Sequence, residues 1–135
     1  MFSNFSAFAV EFVGRLWPTS EHAYQGMKFS DIGLQEAIRV QRSAHEAMKL
    51  ARSMPDKYRP DWDEVKVRVM TQICSEKLRQ HPYIQRKLIG TGDKELIESS
   101  PTDAFWGWGP NKDGLNHLGR VWMKLRDEWN AQKPI

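Results

Sequence analysis

The strongest constraint in the sequence lies near its end. Leu115, Leu118, Trp122, Leu125 and Trp129 recur at spacings of 3, 4, 3 and 4. At 100° per residue this places all five on one side of an α-helix. A side carrying two tryptophans must be covered by other elements, so the chain is expected to build helices against it. The 135 residues are enough for one good core and too few for two. No repeat, low-complexity tract or linker interrupts them, and residues 1–135 read as one domain.

Other segments read in the same way. Residues 2–17 look extended: Phe8, Val10 and Phe12 alternate with Ala7, Ala9 and Glu11, and Gly14-Arg15 turns the chain into a small hairpin. Pro18-Thr19-Ser20 starts a helix that runs to about Phe29, with a hydroxyl to cap its first turn. Asp31-Ile32-Gly33 breaks it. Leu34 to Arg52 is expected as one helix, since Leu34, Ala37, Ile38, Ala44, Met48 and Ala51 return to one side. Asp61 is expected to cap the next helix, with Glu64 completing a capping box. Val65, Val69, Ile73 and Leu78 face inward there. His81-Pro82 ends it and opens a short helix closed by Gly90. Residues 90–114 read as loop. The expected fold class is mainly α (α+β): about five helices with a small N-terminal β-hairpin.

Several function classes lose support. No apolar run approaches the ~20 residues of a membrane span. The stretch Met1–Phe12 lacks a basic start and carries Glu11, so it does not read as a signal peptide. One cysteine, Cys74, rules out an internal disulfide framework and fits a reducing, cytoplasmic location. His22, His45, His81 and His117 show no metal-ligand spacing with one another or with Cys74, so no metal is expected. No Gly-x-Ser-x-Gly elbow or dinucleotide fingerprint is present, and no cofactor is expected. Net charge is +3. The basic series Arg39, Arg42, Lys49, Arg52, Lys57, Arg59, Lys66 and Arg68 reads as a solvated face, with nucleic-acid contact as the alternative.

Three clusters carry candidate chemistry. In the helix after Trp17, Glu21 and Lys28 are seven residues apart and fall on one side, with Tyr24 and Gln25 between them. Spacing alone makes this a solvated polar face; the alternative is a ligand-binding set. The run Asp103-Ala104-Phe105-Trp106-Gly107-Trp108-Gly109-Pro110 places two tryptophans in a loop. It either plugs the core or binds a ligand. Trp62, at a helix start beside Asp61, either packs inward or stacks on a flat ligand.

Taken in order, these motifs resemble a known family. They are Phe2-Ser3-Asn4-Phe5-Ser6, then Trp17-Pro18-Thr19-Ser20-Glu21-His22-Ala23-Tyr24-Gln25 with Lys28-Phe29, then Trp62-Asp63 with Val69-Met70. Thr91-Gly92-Asp93, Asp103-Ala104-Phe105-Trp106-Gly107, Gly114-Leu115-Asn116-His117-Leu118-Gly119, Met123 and Arg126 follow. Along nearly the whole chain they resemble the NADAR family of YbiA-like proteins. The resemblance implies a mainly helical fold with a short β element, and cleavage of N-glycosidic bonds. One branch of the family is linked to removing ADP-ribose from guanine. Another acts on ribosylamino-pyrimidine phosphates of riboflavin synthesis.

Carried over by motif position, the resemblance points to Lys28, Glu21 and Asp103 as catalytic. It points to Asn4, Trp62, Trp106 and Gly107 as substrate-binding, and Tyr24 joins them from the helix face. The implied partner is an ADP-ribose-containing or ribosyl-phosphate substrate, with ADP-ribosylated DNA or RNA as a candidate, and no metal or membrane. Two departures stand out. Family members usually carry a further strand ahead of the segment matching Phe2–Phe5, which implies either an incomplete sheet or a more open pocket here. Trp108 stands where many members have a smaller or polar residue.

The implied chemistry sets its own demands. A lysine that adds to a sugar carbon must be neutral, so its pKa must fall well below about 10.4. An ionised Glu21 would raise it, while burial beside Trp106 and Tyr24 would lower it. Lys28 is therefore expected to be partly buried in an aromatic pocket. Glu21 and Asp103 are both candidates for the acid that protonates the leaving nitrogen. Asn4 and the amides of Gly107–Gly109 are expected to hold phosphate or ribose oxygens. Three readings compete: a glycosidase of guanine adducts, a glycosidase of a pyrimidine intermediate, and a non-catalytic ADP-ribose-binding module.

Overall fold

The computed structural model describes residues 2–100 and 102–132. The chain divides into two compact units, Met1–His81 and Pro82–Ile135. Among the described residues there are six α-helices and one two-stranded antiparallel hairpin, which is the mainly helical α+β class expected.

The first unit opens with a turn, where the amide and hydroxyl of Ser6 both donate to the Ser3 carbonyl. Closure of that turn keeps residues 2–9 out of the sheet, so the extended stretch is shorter than its alternation suggests. Strands β1 (Val10–Phe12) and β2 (Arg15–Trp17) pair with Val10 opposite Trp17 and Phe12 opposite Arg15. The turn falls on Val13 and Gly14, one residue earlier than expected, and both have positive φ (47° and 79°). That matches a primed two-residue turn, which suits the strand twist. Valine is a poor occupant of the left-handed region, and Val13 is 59% exposed, so its side chain contributes little burial. Val13→Asn should therefore raise stability by about 1 kcal/mol, read as a higher melting temperature with unchanged circular dichroism.

Helix α1 (Ser20–Gly26) follows, capped by Thr19, whose side chain accepts from the His22 amide. It ends earlier than the expected Phe29. Gly26 is the close-approach point: a Cβ there would lie 2.5 Å from the Trp17 ring. The buried Trp17 ring and α1 therefore pack in direct contact, and such a ring contributes about 3 kcal/mol through burial.

The expected single helix from Leu34 to Arg52 is two: α2 (Ile32–Arg39) and α3 (Ala44–Arg52). Asp31 and Ser43 cap them, each side chain accepting an amide three residues on. The break is fixed by a buried histidine. His22 Nε2 lies 2.9 Å from the Gln41 carbonyl and Nδ1 lies 2.8 Å from Thr19 Oγ1. A carbonyl only accepts, so Nε2 carries the proton and Nδ1 accepts from the hydroxyl. Burial lowers the His22 pKa, against the opposing pull of that carbonyl.

A 3₁₀ turn (Pro55–Lys57) leads to α4 (Trp62–Gln80). Asp61 sits at the N-cap position but makes no capping bond. Arg59 takes its carboxylate instead, at 2.6 and 2.9 Å. A charge-assisted fork outcompetes a single amide, so the expected capping box is absent. Val65, Val69, Met70, Ile73 and Leu78 are buried along α4, and α1 packs against α2, α3 and α4. Lys77 is fully buried on α4, and its ammonium donates to the Ser3 carbonyl (3.0 Å) and Ser6 Oγ (3.2 Å). Burial pulls its pKa down to about 8. Cys74, one turn earlier, is fully buried, and burial pushes its thiol up to about 12.

The second unit contains α5 (Pro82–Gly90) and α6 (His117–Ala131). Leu118, Val121, Trp122 and Leu125 are buried along α6, as the terminal stripe requires. Leu115 lies before the helix and is exposed, so the stripe begins one position later than its spacing implies. Among the described residues no helix is long and apolar enough to cross a membrane, and no cluster suits a metal ion.

Candidate active site

The polar side of α1 is not solvated. All seven residues of the helix are buried, and so are Met27, Lys28 and Phe29 after it. The expectation of a solvated face is therefore wrong. Hairpin, α2, α3 and α4 pack around α1, and a pattern shows a polar side without showing what covers it.

Lys28 is 7% exposed. Its backbone is pinned: its carbonyl accepts from the Arg59 amide (2.7 Å) and its amide donates to Gln25 (3.3 Å). Its Nζ lies 5.0 Å from the centre of the Tyr58 ring and 5.6 Å from that of Tyr24. Tyr24 is one of the expected aromatic neighbours, and Tyr58 is a second ring. Tyr58 was not singled out by the sequence, because it lies in a polar proline-flanked loop. Burial lowers the Lys28 pKa to about 8. Glu21 opposes that shift, while Arg52 and Lys66 add to it. At pH 7.5 about a quarter of such an amine is neutral, against about a thousandth for an ordinary lysine.

Glu21 joins its neighbours along the helix. Its amide donates to the Asn4 carbonyl at 2.9 Å, and its Oε1 accepts from Gln25 Nε2 at 2.6 Å. Asn4 is buried, with Nδ2 donating to Met70 Sδ at 3.1 Å. Tyr24 packs on Trp62 with ring centres 5.1 Å apart, so Trp62 packs inward. Asn4 Oδ1, Gln25 Oε1 and Ser20 Oγ are buried without a hydrogen-bond partner. Orphaned buried polar atoms are rare; here two lie on α1, and the third is on Asn4, whose carbonyl accepts from the Glu21 amide of that helix. The first unit thus gathers Asn4, Glu21, Tyr24, Lys28 and Trp62 around one helix.

Asp103, Trp106 and Gly107 are gathered by the second unit. Asp103 Oδ1 accepts from the amides of Phe105 (3.0 Å) and Trp106 (2.8 Å), which fixes the loop's turn. Trp106 stands edge-on to Phe105 at 4.8 Å, and His117 lies 4.4 Å from Phe105. The amides of Gly107, Trp108 and Gly109 donate to the carbonyls of Asp103, Glu98 and Ser100. They are spent on the backbone, so the expectation that they hold ligand oxygens is not met. The carbonyls of Ala104 to Trp108 in turn accept from the amides of Gly114 to Leu118. Asn116 closes the arrangement: Nδ2 donates to the Leu96 carbonyl (2.9 Å) and Oδ1 accepts from the Glu98 amide (2.8 Å).

Glu98 escaped the sequence reading. Burial raises its carboxyl pKa, and the Asp103 charge adds to the effect. No local motif marks it, since its environment comes from residues up to 18 positions away.

A hairpin, six helices and a desolvated lysine just beyond a short buried helix define a recognisable class. The chain belongs to the NADAR family, whose domain model matches residues 1–130. It is 42% identical to an N-glycosidase of Nostoc punctiforme over 130 residues, 94% of this chain and 83% of that protein. It is 40% identical to a riboflavin biosynthesis protein of Vibrio vulnificus, with 98% of this chain matched to 36% of that one. Its fold matches the NMR structure of the Escherichia coli protein YbiA with a TM-score of 0.89 and 36% identity. That match covers 97% of this chain and 78% of the YbiA chain.

Proposed function

We propose that this chain is an N-glycosidase that releases ADP-ribose from guanine through a Schiff base on Lys28. Hydrolysis of an N-glycosyl bond is the activity that the Nostoc relative's name carries. The observation that carries the reading is Lys28 itself: an amine buried between two phenol rings, with its pKa drawn to about 8.

In this reading the neutral amine attacks the sugar carbon C1′. The C1′–Nζ bond forms, and the C1′–base bond breaks with its electron pair going to the base nitrogen. Glu21, ionised at the start, accepts the proton the amine loses and hands it to that nitrogen. The ring C1′–O4′ bond then opens, O4′ takes a proton from solvent water, and a protonated imine joins C1′ to Lys28, the proton being returned when water later adds to C1′. Water adds to C1′, the C1′–Nζ bond breaks, and the sugar leaves with the amine restored. The acid role falls to Glu21 rather than Asp103, whose Oδ1 already accepts two amides.

A second reading keeps the chemistry and changes the leaving group to a ribosylamino-pyrimidine phosphate. The name of the Vibrio relative favours it. One experiment separates the readings. The protein is incubated with an ADP-ribosylated guanosine oligonucleotide or a ribosylamino-pyrimidine phosphate, with and without borohydride. Products and tryptic peptides are then weighed. The expected result is released ADP-ribose and a reduced sugar adduct on the Lys28 peptide. Release only from the pyrimidine moves the substrate to the second reading. Release with no trapped adduct removes the Schiff base, and no release from either leaves a binding module.

A further inference from the structure

The buried cluster on α1 has a chemical imbalance. Asn4 is 5% exposed and Gln25 is 1% exposed. The orientation of both amides is set by their partners. Asn4 Nδ2 donates to a thioether sulfur, and a flipped amide would turn oxygen, a second acceptor, toward it. Gln25 Nε2 lies 2.6 Å from a Glu21 carboxylate oxygen, and a flipped amide would press two oxygens together. Both amide nitrogens are therefore used, and both amide oxygens remain buried without a donor. Glu21 links the two, since its amide donates to the Asn4 carbonyl and its carboxylate accepts from Gln25.

We infer that Asn4 Oδ1 and Gln25 Oε1 are acceptors for sugar hydroxyl groups, and that they make this site select ribosyl over 2′-deoxyribosyl ligands. A buried acceptor needs a hydrogen-bond donor, which a hydroxyl supplies and a phosphate oxygen does not. The two amides thus favour the sugar and turn the phosphate away, so of the two groups expected at Asn4, phosphate and ribose, this reading keeps the ribose. Removing one hydroxyl from the ligand leaves an acceptor stranded in a desolvated place. Sites built to hydrogen-bond a hydroxyl discriminate strongly against the analogue that lacks it. The inference rests on reading this cluster as the sugar site of the glycosidase, and it can be tested by binding without turnover.

The test uses the full chain and two probes, ribose 5-phosphate and 2-deoxyribose 5-phosphate, in isothermal titration. Wild type should bind the ribose compound at least tenfold more tightly. In Asn4→Leu that ratio should fall toward one, which a purely structural role would not produce. Equal affinities in wild type overturn the inference, as does failure to bind ribose 5-phosphate. Full discrimination retained in both Asn4→Leu and Gln25→Met also overturns it, and shows the oxygens to be satisfied by buried water. Should Asn4→Leu fail to fold, Gln25→Met and the wild-type pair decide. Discrimination without any turnover in the borohydride experiment would sink the Schiff-base reading and leave this one standing.

Discussion

Lys28→Arg should lose at least about a thousandfold in kcat/KM while remaining folded. The substitution keeps the positive charge and the hydrogen-bonding capacity, but a guanidinium is not deprotonated in a protein and cannot add to C1′. Lys28→Met serves as the control for the extra bulk of arginine. For wild type, kcat/KM should climb about tenfold per pH unit up to about pH 8 and then level, because the neutral amine is the reactive form. Glu21 holds the Lys28 pKa up, so Glu21→Gln should move that break to lower pH while depressing the plateau. An arginine variant keeping a tenth of the wild-type rate would mean that the position acts as a fixed cation and that carboxylates alone drive the hydrolysis.

The largest stability effect is expected at Gly119. A Cβ there would be in steric conflict with the Leu96 carbonyl and would lie 2.5 Å from both side-chain polar atoms of Asn116. Those atoms tie Leu96 and Glu98 to the start of α6, so alanine must break both hydrogen bonds or displace the helix. The expected loss is about 3 kcal/mol, a fall in melting temperature of about 10 °C. Gly90→Ala is the matched control, since its Cβ meets nothing within 4 Å. Equal melting temperatures for the two variants would show that the Asn116 clamp does not hold this unit together.

Local features of the fold were legible in the sequence. Thr19 capping α1, the inward residues of α4 and the stripe of α6 all depend on residues within a turn or two of one another. What the sequence hid depends on distant partners. The break between α2 and α3 is held by His22, 19 residues from the carbonyl it binds. Asp61 stands at the cap position of α4, but Arg59 holds its carboxylate. For the site, spacing alone leaves Lys28 and Glu21 on a solvated face and the family resemblance singles them out, while the covering of α1 sets their chemistry. The glycine-rich loop misled for the same reason. Its amides look available in a linear string, and they are spent on carbonyls that only the folded chain presents.

Cys74 is the only cysteine of the chain, fully buried on α4 with its thiol held far from ionisation at neutral pH. An alkylating reagent needs the thiolate and room to approach, and the folded first unit denies it both. Modification of this sulfur therefore counts the moments when that core opens. The protein carries its own clock for unfolding, readable by mass, with no label to install and no competing thiol to remove. A cysteine placed on the surface for a fluorophore would react alone, while the native one stays silent until the helix around it gives way.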